Sequence, residues 1–172
     1  MIITLSGQVG AGKSSVGKEL AKKLNYKYLV TGEIFKKMAK EKNMDLNEFL
    51  KYADANQDII DKEVDNKQKQ AGANTILDSR MGFYFANPEL KIWVKAGMDI
   101  RIKRIMKRDG PAEKESERHI VEREEEEKER YMRMYSVNIF DMENYDLIID
   151  TGKLNVEQIV NTIHSLVKSM EK

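Results

Sequence analysis

Residues 2–15 read IITLSGQVGAGKSS, an apolar run that passes straight into a glycine-rich turn. Within it Gly7 to Ser14, GQVGAGKS, fits G-x-x-x-x-G-K-[ST], the spacing that cradles a nucleotide's phosphates. Glycines let the backbone approach an anion, and successive amide N–H groups point at it. A helix that starts where the loop ends adds its positive terminus. Lys13 offers a point charge to the outer phosphates, and Ser14 offers a hydroxyl to Mg²⁺. Gln8, Val9, Gly10, Ala11, Gly12 and Ser15 complete the cradle. The motif requires a strand before it and a helix after it. Ile2 to Ser6 suits a short buried parallel strand. Val16, Leu20 and Leu24 recur at helical spacing. The loop alone leaves the fate of the phosphate open: it goes to water, goes to a second small molecule, or stays on a nucleotide that is only held.

Outward from the loop, strands alternate with helices. Tyr26–Val30, Thr75–Asp78 (TILD), Leu90–Ala96 (LKIWVKA) and Tyr145–Asp150 (YDLIID) read as further strands. Thr31-Gly32 reads as a turn, and Glu33–Lys42 as a helix. Asp45–Ala71 carries apolar residues at helical spacing, Leu46, Phe49 and Leu50, then Ile59, Ile60 and Val64, which predicts two or three short helices. Asp99–Arg108 reads as a helix broken by Asp109-Gly110-Pro111, and Glu113–Arg133 as a heavily charged one. The clearest helix is the last, with Val156, Ile159, Val160, Ile163, Leu166, Val167 and Met170 on one stripe, capped by Asn155 with Gln158. This pattern predicts an α/β fold: a P-loop NTPase-type parallel sheet of about five strands flanked by helices. The chain reads as a single domain with a core over 1–30, 74–109 and 136–172. Two helical segments, 31–73 and 110–135, stand outside the alternation, beside the strand ends where open α/β sheets collect ligands.

The bulk numbers narrow the classes. The chain has 172 residues, 41% hydrophobic and 34% charged, a soluble globular composition. Lysine plus arginine number 30 against 29 acidic residues, so net charge gives no overall pull toward nucleic acid or membrane. Without cysteine there are no disulfides, thiolate zinc sites or cysteine nucleophiles. Met1–Leu5 is too short for a signal peptide, and no apolar run nears the roughly 20 residues of a membrane span. A cytoplasmic protein is expected. His119 and His164 make no metal motif, and Trp93 reads as core.

Cations cluster outside the loop. Arg101, Arg104 and Arg108 fall on one helix, and Arg104 and Arg108 share a face. Arg123 and Arg130 also share a face, with Arg133 close to it. Planar guanidiniums match the oxygens of a transferring phosphoryl group. The other reading of EREEEEKER, residues 122–130, is a solvated helix that pairs its own charges. Arg80 follows TILDS at a strand end, and Asp78 there either orients the water shell of a magnesium ion or caps the strand. Met81–Phe85 (MGFYF) lines a base pocket or covers the sheet, the second being favoured, and Asp65 and Gln68 are candidates for contacting a base.

These segments together resemble the nucleoside monophosphate kinases, and most closely the compact cytidylate kinases of the archaeal type. GQVGAGKS matches their phosphate loop, TGEIFKKMA their acceptor-site stretch, LDSR their strand-end acidic-x-Arg element, and RIMKR the pair of arginines that opens the lid. REEEEKERYMRMYSVNIFD followed by YDLIIDT resembles their lid and final strand. The resemblance implies ATP-dependent transfer of the γ-phosphate to CMP and dCMP, with Mg²⁺. The alternatives are another acceptor, such as AMP, UMP or a non-nucleotide, and a non-catalytic nucleotide-binding protein. It makes 31–73 the acceptor-binding insertion and 110–135 the lid. Lys13 and the loop from Gly7 to Ser15 would hold ATP, with Arg104 stacked on its base and Arg108 on its phosphates. Thr31, Glu33, Lys36 and Arg80 would meet the acceptor, Arg123 and Arg130 would close over both phosphates, and Ser14 and Asp78 would serve the metal, Asp78 through water. Lys36 and Glu33 stand where the family usually has arginine and aspartate; a lysine loses the bidentate fork. The expected partners are ATP and a nucleoside monophosphate, with no nucleic acid or membrane, in a monomer or weak homodimer.

Overall fold

The computed structural model describes residues 1–109 and 117–171. Its centre is β1 (Ile2–Gly7), flanked by β3 (Thr75–Asp78) and β4 (Leu90–Lys95). Outside them lie β2 (Lys27–Val30) and β5 (Leu147–Asp150), giving the order β2-β3-β1-β4-β5 with every pairing parallel. Leu5 is in register with Asp78 on one side and Ile92 on the other. The chain leaves β1 toward β2 on one side and later crosses to β4 on the other. The crevice of the sheet therefore opens at the carboxyl end of β1, where the phosphate loop begins.

The alternation within β1 explains its burial. Ile3 and Leu5 face one side, against α1 (Lys13–Leu24) and α8 (Val156–Met170), where Val16, Leu20, Ile159, Ile163 and Val167 close the main core. Each fully buried leucine or isoleucine here contributes about 1.5–3 kcal/mol. The opposite face carries Thr4 and Ser6, both fully buried. Trp93 packs on this sheet as expected, its ring 4.9 Å from that of Tyr145 and 5.5 Å from that of Phe140. The Asn155–Gln158 capping box forms at the start of α8.

The segment before β3 folds as α2 (Thr31–Glu41), α3 (Leu46–Ala55) and α4 (Gln57–Lys69). They share a small core of Met38, Ala39, Phe49, Ala53 and Val64, separate from the main one. The Thr31-Gly32 turn does not form. Val30 is extended and α2 starts at the next residue, while the Thr31 hydroxyl donates to the Asp78 carbonyl at 3.3 Å. That bond ties the first helical turn to the neighbouring strand end, so no reversal intervenes. Met81–Phe85 is also not uniformly core. Met81 is buried, but α5 (Gly82–Phe85) turns Tyr84 outward, about half exposed. The last strand starts two residues later than expected, because Tyr145 N–H closes the preceding turn on the Met142 carbonyl at 3.1 Å.

After β4 come α6 (Met98–Asp109) and α7 (Glu117–Tyr135). The breaker Gly110-Pro111 and the first part of the 110–135 segment lie outside the described residues. Val9, Ile105 and Ile120 form a third cluster, joining the phosphate loop, α6 and α7. No helix among the described residues is long and apolar enough to cross a membrane.

Candidate active site

The loop's glycines are dictated by sterics. Gly7 has φ 145°, and a Cβ there would lie 2.1 Å from the Val94 carbonyl oxygen. Gly12, at φ 90°, holds the left-handed position from which α1 starts. Gln8 fixes the loop to β4: its N–H donates to the Val94 carbonyl at 3.1 Å, and its Oε1 accepts from Ala96 N–H at 3.2 Å. Lys13 Nζ curls back over the loop to the Gly7 and Gln8 carbonyls at 3.0 and 3.2 Å. Burial, and then the Arg80 guanidinium, lower the Lys13 pKa to about 7.

Asp78 ends β3 beside the loop. Its Oδ2 accepts from Ser14 Oγ and from Tyr28 OH, each at 2.8 Å. Burial, and then this carboxylate, push the Tyr28 phenol well above its usual range, so it remains a donor. Arg80 stands two residues on, its side chain 15% exposed, with Nε 2.9 Å from Glu127 Oε2 of α7. Glu127 Oε1 also lies 3.6 Å from Arg123 Nε. One carboxylate thus faces a guanidinium from the sheet and another from α7.

On the α1 side is a cleft of about 700 Å³, within the range of small-ligand pockets. Gly10, Gly12, Lys13, Ser14 and Ser15 of the loop line it, with Arg104, Arg108, Thr151 and Asn155. The Arg104 guanidinium is pinned at the rim, donating to the Ala11 carbonyl at 3.2 Å and to Thr151 Oγ1 and carbonyl at 2.7 and 2.8 Å. Across the loop a second pocket of only about 60 Å³ gathers Thr31, Asp65, Gln68, Arg80, Arg130 and Tyr135. Tyr135 OH donates to Asp65 Oδ2, and Ser79 Oγ donates to Gln68 Oε1. The structure therefore brings Thr31, Asp65, Gln68, Arg80 and Arg130 together. Glu33 and Lys36 are exposed on α2 and do not line this pocket, and Arg123 is largely exposed beside it.

Sequence reasoning missed several of these residues. Arg101, read only as part of a cationic helix, is buried and bonded to Val9 and Glu124. Glu124 and Glu127 were indistinguishable within EREEEEKER, although Ile120, Glu124, Glu127 and Tyr131 follow the 4-3-4 spacing of one helix face. Ser79 and Tyr135 gave no signal of their own.

A phosphate loop faced by lysine and by arginines from the sheet and two helices defines an enzyme of the P-loop kinase class. Residues 2–153 match the cytidylate kinase-like family, and the chain belongs to that family. It is 37% identical to the cytidylate kinase of Methanocaldococcus jannaschii, covering all of both chains. It is 38% identical to the cytidylate kinase of Pyrococcus abyssi, over 97% of this chain and 93% of the other. Among solved structures it resembles an uncharacterized protein from Eubacterium ventriosum, with TM-score 0.74 and 20% identity over 98% of this chain and 99% of that one. It also resembles shikimate kinase from Acinetobacter baumannii, with TM-score 0.66 and 15% identity over 98% and 93%. At those identities the likeness concerns the fold.

Proposed function

We propose that the protein transfers the γ-phosphate of ATP to CMP, and to dCMP, giving CDP or dCDP and ADP. The observation that carries this reading is the placement of Arg80 and Lys13. They converge between a large cleft lined by the phosphate loop and a small pocket lined by polar side chains, so a phosphate in each would meet at these cations. ATP occupies the larger cleft, its phosphates on the loop amides and Lys13, its base toward Arg104 and its phosphates toward Arg108.

The acceptor occupies the pocket of Thr31, Asp65, Gln68, Arg80 and Arg130, enlarged when α4 and α7 separate. Its base is met by the Asp65 carboxylate, which suits the exocyclic amine of cytosine, and by Gln68. Its phosphate meets Arg80. Glu33 and Lys36 reach it if the 31–73 insertion closes further.

Ser14 and Asp78 fit a magnesium ion: a hydroxyl and a carboxylate at the end of the loop, in the sparse oxygen set that Mg²⁺ shares with phosphates and water. When bound, the ion neutralises charge on the phosphate oxygens. The chain's residues do the rest. An acceptor phosphate oxygen, already anionic, attacks the γ-phosphorus in line; its new P–O bond forms as the bond to the ADP oxygen breaks. No proton has to be abstracted, so the site needs cations and no base. Lys13, Arg80, Arg123 and Arg130 stabilise the transferring group, and α7 keeps water away from it.

The test offers CMP, dCMP, UMP, AMP and GMP one at a time with ATP·Mg²⁺, beside a water blank, and follows ADP. Rapid ADP formation with CMP and dCMP alone is the expected result. Activity chiefly with AMP overturns the base assignment, equal rates in every tube indicate a hydrolase, and no ADP anywhere indicates a binding protein.

A further inference from the structure

Val9, at the tip of the phosphate loop, is held on every side by two helices that follow far later in the chain. Its N–H donates to Glu124 Oε1 of α7 at 2.8 Å. Its carbonyl accepts from Arg101 NH1 of α6 at 3.3 Å. Its side chain is buried against Ile105 of α6 and Ile120 of α7. Arg101 and Glu124 close the triangle, NH1 to Oε1 at 2.7 Å, with side chains only 4% and 13% exposed. The next residue, Gly10, sits at φ 75°, where even a Cβ would press on the Arg101 carbonyl and the Ile105 side chain, each 2.9 Å away.

The tip of the phosphate loop is therefore held by α6 and α7 in addition to its own turn, in which Ala11 N–H donates to the Gln8 carbonyl at 3.2 Å. The charge on Arg101 is shielded from water and has the Glu124 carboxylate as its counter-ion. That same oxygen accepts from the loop amide. Withdrawal of α7 would strip Val9 N–H and Arg101 of this partner together, so the positions of helix and loop are coupled through one atom.

We infer that Glu124 is a positioning residue that locks the phosphate loop into its transfer geometry when α7 is seated. The inference rests on the kinase reading above. Glu124 touches neither nucleotide in that reading; it acts through Val9 and Arg101. Loosening it lets the loop and the γ-phosphate it carries drift relative to the acceptor, and lets water compete.

The test compares the full chain with Glu124→Gln, Glu124→Ala and Arg101→Lys, and with the double variant Arg101→Lys/Glu124→Gln. CDP formation, ADP released without CDP, and melting temperature are measured together. Gln keeps a carbonyl acceptor for Val9 N–H but loses the charge that Arg101 needs. The expected kcat falls on the order of tenfold for Glu124→Gln and on the order of a hundredfold for Glu124→Ala, since small misplacements are costly in phosphoryl transfer. KM for CMP stays within about twofold. The share of ADP formed without CDP rises in both variants, and the double variant is no worse than its weaker parent, the mark of a shared interaction. Folded variants with wild-type kcat and a wild-type ratio of ADP to CDP overturn the inference. So does a fall in kcat that only follows a loss of folded protein, with that ratio unchanged. Should Glu124→Ala not fold, Glu124→Gln decides alone. A wild-type protein that phosphorylates no nucleotide defeats the kinase reading instead, which keeps the two failures apart.

Discussion

Lys13 shows how far one residue's chemistry follows from its address. The motif predicts a lysine at that position, but not that the folded chain would lower its pKa from 10.5 to about 7. The cause is burial first and Arg80 second, both of which disfavour the ammonium form. Between pH 7 and 10.5 the unfolded chain holds a proton that the folded one has lost. Lys13 therefore opposes folding most below pH 7, and less as pH rises through that window. Nucleotide phosphates reverse the balance by restoring a counter-charge. ATP binding at pH 8 is predicted to take up a proton on Lys13, where the folded chain without nucleotide has largely lost it. Calorimetry in two buffers of different ionisation heat measures this, with Lys13→Met as the blank. No uptake by the wild-type protein would contradict it. Asp78 and Arg80 were legible from their strand-end position. Tyr28 and Ser79 were not, because a hydroxyl that bonds across the fold leaves no pattern in its own segment.

Helix α7 is the element on which the sequence was most ambiguous. Its charged surface supported both a self-paired solvated helix and a lid, and in the structure some of its charges pair along the helix while others turn inward. Arg118 pairs with Glu122, and Lys128 with Glu125, in exposed helical pairs that solvent screens. Glu124 and Glu127 turn inward to Arg101 and Arg80 instead. Charge alone cannot tell these faces apart; the apolar Ile120 and the aromatic Tyr131 mark the inner one. Arg123 lies at the edge of that face, its side chain 59% exposed and paired with Glu127. In our reading it swings to the transferring phosphate. Arg123→Ala is therefore expected to lower turnover on the order of a hundredfold while ATP affinity changes by less than about threefold. Single-turnover rates and equilibrium ATP titration check this, and unchanged turnover would remove Arg123 from the lid. By contrast α8 was plain in advance, because an apolar stripe and a capping box sit within one contiguous segment.

At the scale of the whole molecule, the sheet was legible because its strands are short apolar runs, each followed by a helix. What the sequence did not give is the distance between the two pockets' walls. A volume of about 60 Å³ falls far short of the several hundred Å³ of ordinary small-ligand pockets, too little for a nucleotide. In the proposed function the helices over 31–73 and α7 must therefore part to admit the acceptor and close again before transfer. That motion would serve a kinase, which has to keep water from the γ-phosphate, better than it would serve a hydrolase. The proposed reaction turns on where the phosphorus goes, and phosphorus-31 NMR of a single reaction with ATP·Mg²⁺ and CMP follows it directly. The γ signal of ATP is expected to disappear as the β signal of CDP grows, with no inorganic phosphate beyond the enzyme-free control. Inorganic phosphate growing in place of CDP would contradict it.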